Sequence, residues 1–304
     1  MPQLKSTSRA ATIEVASTQQ RVQALRLLFR IELSSMVSLS AFAGYLFAGG
    51  LWQVEAFLAA FGTGLLAAGC SALNQWQEQD VDQRMERTQS RPLVTGLFTP
   101  RLALILASFC LSGGILTLSL LPGQYPLLLG VLAIIWYNAI YTPLKRKTPF
   151  AAIPGAVCGA LPPLIGWTAA GGVLLTQKSF ILAGTLFVWQ IPHTWLLLCR
   201  YRDDLKQSGL PDLFTAIPTE RLLKINNCWL MSLFLCYLLF PLFNYIKAPT
   251  LSFLFIIGLV ITFAGIYRTS QRSGHRSAGH SFHLVNISMA LLLTVLILDR
   301  FFLF

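Results

Sequence analysis

The chain has 304 residues, of which 55% are hydrophobic and 12% charged, with a formal net charge of +11 at pH 7. Long apolar runs recur along it, which excludes a soluble globular domain and predicts an all-α, polytopic membrane protein. The runs do not alternate polar and apolar, which argues against a transmembrane barrel, and the positive charge is distributed as membrane topology requires rather than as a nucleic-acid-binding face.

Residues 1–30 are polar, with Glu14 as their one acid and no apolar core of a signal peptide. They faintly resemble a mitochondrial transit segment; the reading preferred is a disordered or surface-lying cytoplasmic lead-in. Residues 31–304 read as one membrane domain, with nine spans at roughly 31–50, 54–74, 101–121, 125–142, 150–170, 179–199, 225–245, 249–267 and 282–303. Each approaches the ~20 residues that a bilayer core requires. With the N-terminus inside, 20 of the 23 Lys and Arg residues fall on the cytoplasmic side, leaving Lys178, Lys247 and Arg300 outside.

The second span ends in Asn74-Gln-Trp-Gln-Glu78-Gln-Asp80-Val-Asp82, followed by Arg84, Arg87 and Arg91. On a continuing helix, Asn74, Glu78 and Asp82 drift only ~40° per step and share one face over ~12 Å, while Asp80 points elsewhere. Such hard oxygen donors suit Mg²⁺, which takes substrate phosphate as further ligands, and forked guanidinium donors suit phosphate oxygens. The bland alternative is a solvated, salt-bridged loop whose arginines enforce topology.

The fourth span ends in Tyr141-Thr-Pro-Leu-Lys145-Arg146-Lys147, which is either an interfacial Tyr with a topology-setting basic loop or a further diphosphate-neutralising element. The fifth carries Pro154, Gly155, Gly159, Pro162, Pro163 and Gly166, the pattern of a broken, small-residue helix that packs closely or lines a cavity. The sixth holds Pro192 and His193, the latter a satisfied buried polar group or a ligand. It ends in Arg200-Tyr-Arg-Asp203-Asp204, a second acidic cluster. Five of the twelve acidic residues lie in these two clusters, on the same cytoplasmic face. Acids beside a bilayer core are costly and mark functional sites.

A shift of 126 residues places Glu78 on Asp204 and Tyr141 on Tyr267, hinting that helices one to four repeat in five to eight around a central cavity. His275, His280 and His283, near Arg272 and Arg276, read as surface histidines. The six cysteines form no C-x-x-C pair and read as small buried hydrophobes.

At these residues the chain resembles a known family. Asn74 to Gly96, with its R-T-x-x-R-P stretch from Arg87 to Pro92, looks like the first signature of the protoheme IX farnesyltransferases (heme O synthases), which are intramembrane aromatic prenyltransferases. Tyr141 to Pro149, Gly159 to Trp167, and Pro192-His193 with Tyr201 to Asp204 follow in the family's order. The resemblance implies a nine-helix enzyme transferring a farnesyl group from farnesyl diphosphate to a vinyl group of heme b. It implies Mg²⁺ on Asn74, Glu78, Asp82, Asp203 and Asp204, and Arg87, Arg91, Lys145 and Arg146 on the diphosphate, with His193 a candidate heme contact. It further implies a bacterial inner membrane in preference to a mitochondrial one, and association with a heme A synthase. The alternatives are a quinone-precursor (4-hydroxybenzoate-type) prenyltransferase and a heme-binding membrane carrier. Glu78 stands where the family more often has Asp, Arg200 where related quinone prenyltransferases have an acid, and Asp212, after Gly209-Leu-Pro211, where the family commonly has Met.

The charge sorting predicts that reporter fusions after residues 95, 145, 210 and 272 read out on the cytoplasmic side and fusions near 123, 176 and 247 on the other. An external position for either acidic segment excludes a shared site.

Overall fold

The structure is a computed structural model that describes residues 17–270 and 275–301. Residues 1–16 of the expected lead-in and Arg272 lie outside the described residues. In chain order the helices are α1 (Thr18–Phe29), α2 (Ile31–Phe47), α3 (Val54–Gln77), α4 (Gln79–Asp82), α5 (Pro100–Ser119) and α6 (Tyr125–Ile134). There follow α7 (Thr142–Leu144), α8 (Ala152–Gly155), α9 (Val157–Ala169), α10 (Gln177–Arg200) and α11 (Arg202–Ser208). The chain closes with α12 (Leu213–Ala216), α13 (Thr219–Leu242), α14 (Pro249–Ser270) and α15 (His275–Phe301). A 3₁₀ turn spans Glu86–Thr88, and a π-helical stretch, Ile135–Tyr141, joins α6 to α7.

Eight spans among the described residues are long and apolar enough to cross a membrane, and α1 with α2 forms a ninth that is bent by 48°. The nine expected spans are therefore present. The lead-in, however, is helical from residue 18: Ser17 and Gln20 form a capping box, and Ala24 and Leu28 are buried while most of α1 stays exposed.

Small residues draw the bundle together. A Cβ added to Gly166 would lie 1.7 Å from the Ala41 carbonyl oxygen, and one on Gly44 would lie 2.1 Å from that of Pro163. The backbones of α2 and α9 therefore touch, which is the close packing expected of the fifth span. Pro162 and Pro163 sit inside α9; the break falls before it, between α8 and α9. The second half packs around Leu182, Leu233, Phe240, Phe255 and Leu292, all fully buried. Phe57, Phe109, Leu116, Phe253 and Ile261 are exposed on the periphery, as a lipid-facing surface requires.

The two halves do repeat, in a different register from the one expected. Both α3 and α10 have 24 residues, and each ends at a residue with the same broken geometry, Glu78 (φ −114°, ψ 19°) and Tyr201 (φ −112°, ψ 41°). From Val54 to Gln177 and from Gln77 to Arg200 the shift is 123, not 126. Glu78 is thus the backbone counterpart of Tyr201, and Asp80 that of Asp203.

Candidate active site

The single continuous helix expected through Asp82 does not form: α3 stops at Gln77, and α4 starts afresh after Glu78. The cause is a set of contacts to the C-terminal half of the fourth span. Arg146 donates to the Gln77 carbonyl at 2.9 Å, removing that oxygen from helical continuation. The Gln77 side-chain amide donates to the Asn138 carbonyl at 3.1 Å, and the Asn138 amide donates to the Cys70 carbonyl at 3.1 Å. The π-helical stretch widens the helix by about one residue per turn, a distortion frequent at functional sites. It brings Asn138 and Thr142 against α3 and carries Lys145 and Arg146 over its end.

Asn74, Glu78 and Asp82 still gather. The Asn74 amide donates to Glu78 Oε2 at 2.9 Å and to Thr142 Oγ1 at 3.1 Å, and the Asp82 N–H donates to the Glu78 carbonyl at 2.8 Å. All three are at most 5% exposed. Asp80 is about half exposed and pairs with Arg146 at 2.7 Å, which is the division expected from helical register.

Each buried carboxylate faces a cation. The Lys145 ammonium stands 2.7 Å from Glu78 Oε1 and 2.8 Å from Oε2, with its hydrogen bond aimed at Oε2; buried Oε1 accepts no directed hydrogen bond. Arg91 pairs with Asp82, and the Thr88 hydroxyl donates to the Asp82 carbonyl at 2.8 Å. Burial pushes the Asp82 carboxyl above its ordinary range, and the Arg91 charge pulls it back. Burial likewise lowers the Lys145 ammonium against the support of Glu78. Arg87 is lowered by burial and by the neighbouring charges of Arg91 and Arg30. Buried charges of this kind persist only as pairs, since either partner alone would cost several kcal/mol, on the order of 3–5.

The second acidic segment docks onto the first. Asp204 accepts the backbone N–H of Glu86 at 3.0 Å and that of Arg87 at 3.2 Å, and the Arg87 guanidinium lies 5.1 Å from the centre of the Tyr201 ring. Asp203 points outward, 3.8 Å from Lys206. Asp212 caps α12 by accepting the Phe214 N–H at 2.8 Å, a local structural use for this acid. Among the described residues no three His, Cys, Asp or Glu side chains converge as a preformed metal centre. Of the five expected metal donors, the structure brings together Asn74, Glu78 and Asp82, gives Asp204 to the backbone of residues 86–87, and leaves Asp203 at the surface.

His193 lies on α10 between the rings of Trp189 (4.5 Å) and Phe282 (4.8 Å), with Nδ1 2.7 Å from Asn286 Oδ1. Nδ1 therefore donates and Nε2 is the unprotonated nitrogen when the ring is neutral. His283 is exposed, 3.2 Å from Arg200, and His280 is exposed too. The sequence reading missed Asn138 and Thr142, which left only a faint signal, polar residues four apart in an apolar span.

The docking of Asp204 predicts that Asp204→Ala raises the exchange rates of the Glu86 and Arg87 amides several-fold in hydrogen-exchange measurements. A charge-assisted hydrogen bond contributes about 1.5–3 kcal/mol, and partial exposure holds the effect at or below the low end. Asp80→Asn leaves both amides unchanged, because an exposed ion pair contributes only about 0–1 kcal/mol. Equal exchange in Asp204→Ala and the unsubstituted chain refutes the docking.

Residues 37–290 match the model of the UbiA prenyltransferase family. The protoheme IX farnesyltransferase of Geobacter sulfurreducens is 42% identical over 74% of this chain and 83% of its own length. That of Oleidesulfovibrio alaskensis is 35% identical over 90% of this chain and 95% of its own. A UbiA homolog from Archaeoglobus fulgidus, solved bound to GPP and Mg²⁺, superposes with a TM-score of 0.62 at 17% identity, over 90% of this chain and 99% of that one. With its nine-span architecture and the two signature segments joined at one face, the chain belongs to the UbiA prenyltransferase family, among the protoheme IX farnesyltransferases, and is an enzyme of the prenyltransferase type.

Proposed function

We propose that the chain transfers the farnesyl group of farnesyl diphosphate to a vinyl group of protoheme IX and adds water, giving heme O and diphosphate. The observation that carries this reading is the buried assembly of Glu78 with Lys145 and Asp82 with Arg91, joined to the loop that Asp204 holds. It gathers the charges a metal-bound diphosphate needs at the edge of an apolar bundle.

The donors fit Mg²⁺. Asn74, Glu78 and Asp82 are hard oxygen donors on one buried face, and Glu78 Oε1 accepts no directed hydrogen bond. These residues would hold the ion with the diphosphate, and Asp203 would join them by moving inward. Bound there, the ion would offset the charge that develops on the departing diphosphate. Arg87, Arg91, Lys145 and Arg146 meet the diphosphate oxygens and stabilise the same charge, preorganised by their present partners.

In the transfer, the bond from farnesyl C1 to oxygen breaks and the diphosphate leaves with the electron pair. The vinyl group supplies the electrons for the new carbon–carbon bond. The resulting cation takes the oxygen of a water molecule, which releases a proton to solvent. The apolar spans hold the isoprenoid and keep bulk water from the cation. His193, fixed through Nδ1 by Asn286, orients the heme with Nε2. The membrane in this reading is a bacterial inner membrane with the N-terminus cytoplasmic, and a heme A synthase, working on the product, is the natural associate.

Membranes containing this chain, given Mg²⁺, farnesyl diphosphate and heme b, should yield heme O by mass analysis, and EDTA should stop the reaction. Glu78→Gln and Asp82→Asn should each abolish most of the yield with insertion intact, while Asp80→Asn should be milder. Prenylated 4-hydroxybenzoate in place of farnesylated heme overturns the acceptor assignment; neither product from a well-inserted protein favours a heme carrier.

A further inference from the structure

Two arginines at the acid-bearing end of the bundle lie outside the site described above. Arg268 sits in the last turn of α14, and Arg200 is the last residue of α10. A cleft of about 360 Å³ opens between α14 and α15. Gly265, Arg268 and Thr269 line one side of it, and His280, His283 and Leu284 the other. Arg200 reaches the cleft from α10. Its guanidinium donates to His283 Nε2 at 3.2 Å, since an arginine keeps its protons and has no acceptor. A Cβ added to Gly279 would lie 3.8 Å from Arg200 Cδ, so this side chain runs along α15.

Among the described residues no acid pairs with either arginine. The acids nearest Arg200 in the chain are committed elsewhere: Asp204 to the amides of Glu86 and Arg87, and Asp203 toward Lys206. Two guanidiniums and two imidazoles around one cleft make a receptor for an anion. The same helices carry a second feature deeper in the bundle. His193 precedes Arg200 by seven residues on α10, and Asn286 follows Gly279 by seven on α15. Each pair therefore shares a helical face over about 10 Å. Along this strip the His193 ring lies 4.5 Å from that of Trp189 and 4.8 Å from that of Phe282. The Phe282 ring in turn lies 5.6 Å from that of His283. A strip of rings thus leads from within the bundle to a cationic cleft at its edge.

We infer that Arg268 and Arg200 bind the carboxylates of the porphyrin acceptor, with His280 and His283 completing the cleft. The inference rests on the reading above that heme b is the acceptor. Heme b is a flat apolar ring with its carboxylates on one edge. At a bilayer surface such a molecule keeps its charges at the water and its ring in the apolar layer. The cleft and the strip of rings offer that division in that order. A phospholipid phosphate shares the anionic chemistry but has no flat ring to lay along Trp189, His193 and Phe282. The prenyl diphosphate has its own cations in Arg87, Arg91, Lys145 and Arg146. Forked guanidinium donors match the two oxygens of a carboxylate. Holding the carboxylate edge at the cleft turns the vinyl-bearing half of the ring into the bundle, where the farnesyl group is delivered.

The test uses the full-length chain in lipid nanodiscs. Heme b and its dimethyl ester, which has no free carboxylate, are followed by the Soret band, and farnesyl thiodiphosphate with Mg²⁺ serves as the slow-reacting donor. Loss of a charge-assisted contact in Arg268→Gln should weaken heme b about tenfold, with partial recovery in Arg268→Lys. Arg200→Gln should act in the same direction, and the double variant should bind heme b more weakly than either. The dimethyl ester should bind all these chains alike, within about twofold, because the contact that the variants remove is already missing. Farnesyl thiodiphosphate affinity should not change, and in Arg268→Gln the KM for heme b should rise while kcat holds. Unchanged heme b affinity in the double variant overturns the proposal, and loss of co-purifying phosphatidylglycerol beside it assigns the cleft to a lipid phosphate. Weakened thiodiphosphate binding with heme b unaffected assigns the arginines to the donor and overturns it too. Equal losses for heme b and the ester, with a lowered melting temperature and no recovery in Arg268→Lys, reduce the arginines to structural residues and also overturn it. An unsubstituted chain that binds the thiodiphosphate but not heme b is a different result: it removes the acceptor assignment itself, and the role of the cleft with it.

Discussion

The pair formed by Lys145 and Glu78 is the constraint around which the cytoplasmic end of this bundle is organised. Both groups are largely removed from water, where a lone carboxylate or ammonium would cost several kcal/mol. The two must therefore arrive together from helices 67 residues apart. That requires α3 to stop at Gln77, so that Glu78 turns toward the incoming lysine, and it requires the fourth span to loosen into a π-helix, so that Lys145 lies above it. The polar residues buried in these two spans serve this arrangement. Asn74 bridges Glu78 and Thr142, and Asn138 is bonded to both Cys70 and Gln77. Each amide or hydroxyl replaces a water that the bilayer could not supply.

The second half of the molecule repeats the backbone without repeating the chemistry. Helices α3 and α10 share their length and the geometry of their ends, yet the end of α3 buries two carboxylates and the end of α10 buries neither of its own. Asp204 instead spends both oxygens on the backbone of residues 86 and 87. One half thus concentrates charge, and the other holds the loop from which Arg87 and Arg91 project. A duplicated scaffold makes this division natural, because the loops after corresponding helices emerge on the same side of the bundle and can meet.

The spans were legible because each is a near-continuous apolar run, and the grouping of Asn74, Glu78 and Asp82 was legible because residues four apart share a helical face. That grouping survived a broken helix only because the Asp82 N–H still reaches the Glu78 carbonyl. The break itself had no local signal: no Gly or Pro marks residue 78, and its cause is Arg146, 69 positions after the Gln77 whose carbonyl it takes. The repeat was misregistered by three residues for a related reason. Matching acid to acid aligned Glu78 with Asp204, whereas backbone geometry aligns Glu78 with Tyr201. The bend at Arg30 had no local signal either, because it is held by Gln75 from another helix.

An ionic site within a helical turn of hydrocarbon poses a further problem, since water drawn in by the charges would also reach a reacting carbocation. The pairing seen here answers it. Glu78 and Asp82 are met by Lys145 and Arg91, and the Asp82 carbonyl by Thr88, so each buried acid has a cation of the protein beside it and depends less on a bulk hydration shell. An arriving anion would take cations away from buried acids, and an arriving metal would take acids away from buried cations. The two together would offset most of each other's charge, so the electrostatics of these buried pairs favour donor and metal entering together.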